Sequence, residues 1–98
     1  MRYNVLLHPK AADFLRKTDA KLRERIKRTL RELEESPERR GVRLSHSPFY
    51  RLRIGDYRAI YTINSEGKES YSPVHWPQRR GIRRLLKAVF IIRFLHKG

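Results

Sequence analysis

The stretch from Phe49 to Ile63, FYRLRIGDYRAIYTI, constrains the fold of this chain more than any other. Gly55-Asp56 is a two-residue turn between arms rich in β-branched and aromatic residues, the pattern of a tight β-hairpin. With that turn in place, residue 54 faces 57, 53 faces 58, 52 faces 59 and 51 faces 60. Directly opposed residues share one face of a sheet. One face then carries Tyr50, Leu52, Ile54, Tyr57, Ala59, Tyr61 and Ile63, all apolar or aromatic. The other carries Phe49, Arg51, Arg53, Arg58, Ile60 and Thr62. A slip of one residue would drive the arginines into the core, so the sorting itself specifies the register.

Arg53 and Arg58 are expected directly opposite each other, with Arg51 one pleat away. Like charges so placed cost a sheet up to about 1 kcal/mol per pair. No acid shares their face of the hairpin. Two readings stand. Solvent or a carboxylate from elsewhere relieves the three guanidiniums, or they wait for an anion. Phosphate matches them best, because the planar fork donates two parallel hydrogen bonds to it.

Ninety-eight residues make a single domain with one modest core. Its net charge of +14 implies an anionic partner, either nucleic acid or an acidic protein. With no cysteine there is neither a disulfide framework nor a thiolate metal site. His8, His46, His75 and His96 form no ligand spacing, so no metal and no cofactor are expected. No signal peptide or spanning apolar run is present, which predicts a cytoplasmic protein without a membrane partner.

From the N-terminus, Arg2 to Leu7 alternates Tyr3, Val5 and Leu7 against Arg2, Asn4 and Leu6, a short strand. Pro9 suits the first position of a helix, which is expected over about 9–17. Thr18-Asp19 breaks it with N-cap chemistry. A second helix follows, with Leu22, Ile26, Leu30 and Leu33 at helical spacing, and ends near Ser36-Pro37. The two helices are expected to pair and cover the apolar face of the sheet. The acids late in the second helix are read as a balance to the basic sheet, and 41–48 as a loop. After the hairpin and the turn at 64–68, Pro73 and Pro77 exclude a central strand. Ile82, Leu85, Leu86 and Val89 give a short basic helix there. Ala88 to Leu95, AVFIIRFL, reads as a central strand buried on both faces, with a single helix over 77–95 as the rival.

Three segments together resemble the RelE/ParE superfamily of toxins. They are YNVLLHPKAADFLRK at the start, YRLRIGDYRAIYTI from Tyr50 to Ile63, and IIRFLHKG from Ile91 to Gly98. The resemblance implies an α+β fold: an N-terminal strand, a helix hairpin, then a mainly antiparallel sheet of about four strands. It departs in an atypical basic insertion at about 69–87. No tyrosine follows Lys97, where RelE-like relatives usually carry one that assists the chemistry. RelE-like members are ribonucleases that cut messenger RNA in the ribosomal A site without metal. An antitoxin encoded beside them, RelB-like in this branch, silences them in a hetero-oligomeric complex. By motif position, Arg51, Arg53 and Arg58 match the family's basic residues on the open sheet face. Lys97 matches a basic residue past the last strand, and His96 the position before it.

Metal-free RNA cleavage needs donors at the phosphoryl oxygens and a group to move the proton. Arg51, Arg53 and Arg58 suit the first role, but arginine makes a poor base. His96 is the candidate base, its alternative being a strand-end histidine in solvent. Lys97 is a candidate proton donor or second clamp, or else a tail residue. His46 is a weaker base candidate, and His75 has no assigned role. Phe49 is placed to stack on a nucleobase, or to cover the sheet edge. Arg79, Arg80, Arg83 and Arg84 contact ribosomal RNA, receive the antitoxin, or lie in solvent. The expected function is a type II toxin that cuts messenger RNA on the ribosome. The alternatives are a ParE-like toxin acting on DNA gyrase and a catalytically silent RNA-binding member of the fold.

Overall fold

The structure, a computed structural model, describes residues 3–64 and 88–96. The chain runs β1 (Asn4–Leu7), α1 (Pro9–Lys17), α2 (Ala20–Glu35), α3 (Pro37–Arg40), β2 (Val42–Arg43), β3 (Phe49–Ile54), β4 (Tyr57–Asn64) and β5 (Ala88–His96). Among the described residues these strands form one five-stranded sheet in the order β1-β5-β4-β3-β2. The pairs β2–β3, β3–β4 and β4–β5 are antiparallel, whereas β1 runs parallel to β5. The sheet is therefore mixed. It gains β2 from a segment expected to be loop, because two residues are too short to show an alternation. The expected basic insertion at 69–87, with its short helix, lies outside the described residues. Over 88–95 the chain is strand, which removes the rival helix.

Both long helices start where the sequence places them. The His8 ring accepts from the Lys10 N–H through Nδ1 (3.1 Å) and caps α1, with Pro9 at its first position. Asp19 caps α2 by accepting from the Leu22 N–H at 2.8 Å. Arg23 ties the two together. Its guanidinium donates to the carbonyls of Leu15 (3.0 Å), Arg16 (3.0 Å) and Thr18 (2.7 Å), satisfying the C-terminal end of α1.

The helices pack on one face of the sheet only. Ile26 and Leu33 of α2 are fully buried, as are Ala11 of α1, Ala59, Tyr61, Val89 and Ile91, and Leu52, Ile54 and Phe94 are buried with them. Burying a valine, leucine, isoleucine or phenylalanine side chain contributes about 1.5–3 kcal/mol. Phe14 of α1 meets Tyr57 at 5.1 Å and Phe94 at 5.4 Å between ring centroids. The central strand β5 is buried on this face, but Arg93 and Leu95 are exposed on the other, so it is not enclosed on both.

Tyr61 fastens the sheet to the segment after α2. Its ring stacks on Tyr50 at 5.3 Å, and its hydroxyl donates to the carbonyl of the buried Pro37 at 2.8 Å. Burial pushes its pKa up to about 12. Gly41 packs against this hydroxyl so closely that a Cβ there would collide with the Tyr61 ring. Tyr61→Phe strips a buried carbonyl of its donor, so it is expected to cost about 1–3 kcal/mol. A urea midpoint equal to that of the parent protein would remove this tie from the account of the fold.

Candidate functional site

The hairpin adopts the register expected from its sequence, with Arg53 opposite Arg58 and Arg51 opposite Ile60. Gly55 takes φ 59° while Asp56 does not turn positive, the pattern of a type II′ turn with glycine first. The apolar set faces the helices. Arg51, Arg53 and Arg58 therefore project from the face the helices leave uncovered. No carboxylate of the described residues pairs with any of the three. Arg58 is half-buried, and its Nε is enclosed without a hydrogen-bond partner. Acid charge goes elsewhere: Glu32 holds Arg40 at 2.8 Å, and Asp13 holds Arg16 at 2.9 Å and Lys17 at 3.1 Å.

A shallow depression of about 540 Å³ opens on this face, lined by Arg40, Val42, Arg51, Leu52, Arg53 and Arg58. Its lining holds four arginines and no acid, Arg40 being the one already paired with Glu32, and the exposed Val42 is an apolar margin. A second depression, of about 710 Å³, lies by the Gly55 turn and mixes Asp19, Glu24 and Asp56 with its basic residues. Of these two, the first has no acid in its lining.

The strand β5 departs from the expectation. Ile60 pairs with Arg93, yet Tyr61 pairs with Ile91, so Ile92 is an extra residue in a β-bulge. The bulge reverses which side chains of β5 face the helices. Val89 and Ile91 point inward before it, Phe94 and His96 after it. His96 consequently pairs with Tyr57, and its ring meets the Tyr57 ring edge-on at 4.8 Å on the helix side. It does not join the arginines, which corrects its placement as their base. The same bulge turns Arg93 and Leu95 onto the arginine face, beside Ile60 and Arg58.

Phe49 lies half-buried on the arginine face opposite Thr62, at the end away from the Gly55 turn. His46 is exposed in the loop before β3, with φ 54°. Lys97, His75, Arg79, Arg80, Arg83 and Arg84 lie outside the described residues. Sequence reasoning passed over Arg93, Arg40 and His8. A single arginine inside AVFIIRFLH was the available signal for Arg93. His8 follows β1, and its N–H donates to the Ile91 carbonyl at 2.8 Å. Its pKa is held below the usual histidine value by burial, then by Lys10 and Arg93. With Nδ1 accepting from Lys10, the neutral ring carries its proton on Nε2, so it acts as a donor there. Among the described residues no cluster of His, Asp or Glu could hold a metal ion, and no helix is long and apolar enough to cross a membrane.

The family model for the ParE toxin of type II toxin–antitoxin systems, parDE, matches residues 5–70. The chain belongs to that toxin family, within the RelE/ParE superfamily. Solved structures share its fold. A chain of the archaeal RelE–RelB complex from Pyrococcus horikoshii OT3 is 24% identical, over 100% of this chain and 98% of that one, with a TM-score of 0.68. A chain of the intact E. coli RelBE complex is 21% identical over 98% of both, with a TM-score of 0.64. The YoeB/ParE toxin from Agrobacterium tumefaciens is 14% identical over 95% of this chain and 96% of that one, with a TM-score of 0.62. None of the curated proteins matches the sequence.

Two predictions follow from this geometry. Arg58→Thr removes one of two opposed charges and the unpartnered Nε, so it should raise folding stability by about 0.5–1 kcal/mol. A drop in the urea midpoint would show that Arg58 is held by a contact of its own. For His8, a folded-state pKa below 6.5 means that the unfolded chain binds more protons. Its contribution is complete above that value and is lost as pH falls below it. The urea midpoint should decline between pH 7.5 and pH 5.5, and His8→Asn, which keeps a capping oxygen, should flatten that decline. An unchanged slope in the variant would assign the decline to other groups.

Proposed function

We propose that this type II toxin is an endoribonuclease that cuts messenger RNA in the ribosomal A site, with Arg51, Arg53 and Arg58 clamping the scissile phosphate. The observation carrying this reading is the uncompensated arginine face with the enclosed, unpartnered Nε of Arg58. A face that keeps like charges opposed is suited to a polyanion. In the reaction the ribose 2′-hydroxyl attacks the adjacent phosphorus, the bond to the 5′-oxygen breaks, and negative charge grows on the phosphoryl oxygens. Donors held ready at those oxygens lower the barrier without reorganising, and one such donor is typically worth about 10²–10³ in rate.

Proton transfer does not fall to His96, which faces Tyr57. Lys97, directly beyond β5, is proposed as the donor to the leaving oxygen or as a further clamp. Phe49 is proposed to stack on a base, and the segment bearing Arg79, Arg80, Arg83 and Arg84 to contact ribosomal RNA. A chain at +14 calls for an acidic or amphipathic antitoxin segment in a cytoplasmic hetero-oligomer. The RelE–RelB complexes among the similar folds support a RelB-like one.

A second reading is favoured by the matching family model, which is that of the ParE toxin. The target would then be DNA gyrase, and the arginine face would not be needed for catalysis.

Purified toxin added to translating ribosomes, followed by mapping of messenger ends, separates the two. Codon-phased ends are expected, falling by about 10²–10³ in Arg58→Ala, which should also lose growth inhibition while remaining folded. Intact messenger together with inhibited supercoiling would replace this reading with the gyrase one. RNA binding with neither effect would leave a catalytically silent member of the fold.

A further inference from the structure

We infer that Arg93 forms a second phosphate site, so that the RNA backbone crosses the sheet from β3 toward β5 instead of following the strands. This inference rests on the reading of the arginine face as an RNA site. Its basis is the bulge at Ile92. A regular β5 in phase with Val89 and Ile91 would turn Arg93 toward the helices and the core. The extra residue instead delivers it to the open face, directly opposite Ile60. Bulges often re-aim a side chain beside a functional site.

The placement has a direction. Ile60 lies between Arg93 on one side and Arg51 on the other, in one row across three strands. Neighbouring strands lie about 4.8 Å apart, so the two arginines stand about 10 Å apart along that row. Arg53 and Arg58 form the next row, nearer the Gly55 turn, with Leu95 on the β5 side. Three arginines thus cluster on β3 and β4, and a fourth stands off to one side. That spacing suits one clamped phosphate and its neighbour along a chain. Arg93 is exposed, and no acid of the described residues pairs with it. The exposed Leu95 and Val42 offer apolar margins on either side of the cluster.

The test uses purified full-length toxin and short single-stranded RNAs methylated at the 2′-oxygens, which removes the nucleophile and prevents cleavage. Binding is followed by fluorescence anisotropy from low to moderate salt for the parent protein, Arg93→Ala, Arg93→Lys and Arg58→Ala. Each neutralised phosphate contributes about 0.7 to the slope of log affinity against log salt in single strands. Arg93→Ala is expected to lower that slope by about 0.7 on a tetranucleotide and to leave a ligand with a single internucleotide phosphate unchanged. Arg93→Lys should restore the slope, because the charge returns at the same place.

If Arg58→Ala lowers the slope and Arg93→Ala does not, the second site is wrong while the clamp survives. If neither variant changes it, the open face is not the RNA site and the parent reading fails too. An Arg93→Ala protein with parental RNA binding that escapes its antitoxin in co-expressing cells would assign the residue to the antitoxin surface and overturn the inference.

Discussion

One-sided burial is the constraint on which the rest of this structure depends. The helices α1 and α2 cover a single face of the sheet, and the hairpin turn at Gly55 decides which residues meet them. Because the period of a strand is two, every apolar residue sent inward at 52, 54, 57, 59 and 61 sends its neighbour outward. Arg51, Arg53 and Arg58 point away from the helices because Leu52, Ile54 and Ala59 point toward them and are buried. The core and the candidate site are two consequences of one register. A mutation that slipped the hairpin would abolish both together.

The same logic explains what the amino-acid sequence revealed and what it hid. The hairpin was legible residue by residue, since Gly-Asp marks the turn and all seven positions of the inward face are apolar or aromatic, while the three arginines fall on the other. The helices were legible too, from Pro9, the Asp19 cap and the apolar stripe through Leu33. The strand β5 was legible only as a strand. In AVFIIRFLH almost every side chain is apolar, so no alternation reports the phase, and a bulge leaves no mark in such a run. His96 was consequently placed with the arginines by proximity to a motif and Arg93 was passed over, whereas the bulge puts His96 opposite Tyr57 and Arg93 opposite Ile60. The two residues of β2 escaped for a different reason, since a strand of that length has no pattern to read.

A charge of +14 could reflect nothing more than a solvated basic surface, and much of it does. Several arginines are engaged in holding the fold. Arg23 caps α1, Arg16 pairs with Asp13, Arg40 with Glu32, and Arg43 donates to the Ser47 carbonyl at 3.1 Å. These have local partners that account for their presence. Arg51, Arg53 and Arg58 have none among the described residues, and they occupy positions where β-branched residues would be more favourable. Net charge attracts a polyanion from a distance, whereas a binding site needs cations held in place without partners of their own.

That distinction separates a basic protein from a site. Acids are not scarce near the sheet: the end of α2 and the start of α3 carry Glu32, Glu34, Glu35 and Glu38. They approach the sheet from the covered side. Glu38 meets the Tyr3 hydroxyl at 3.5 Å, and the Glu34 carbonyl accepts from the Tyr3 N–H at 2.7 Å. None of these carboxylates pairs with Arg51, Arg53 or Arg58, although Glu32 holds Arg40 at the margin of the depression those arginines line. Among the described residues, Arg51, Arg53 and Arg58 therefore carry no counter-charge of the fold's own. Relieving the opposed pair from within would need an acid on the open face, and an acid there would compete with the ligand for the same hydrogen bonds.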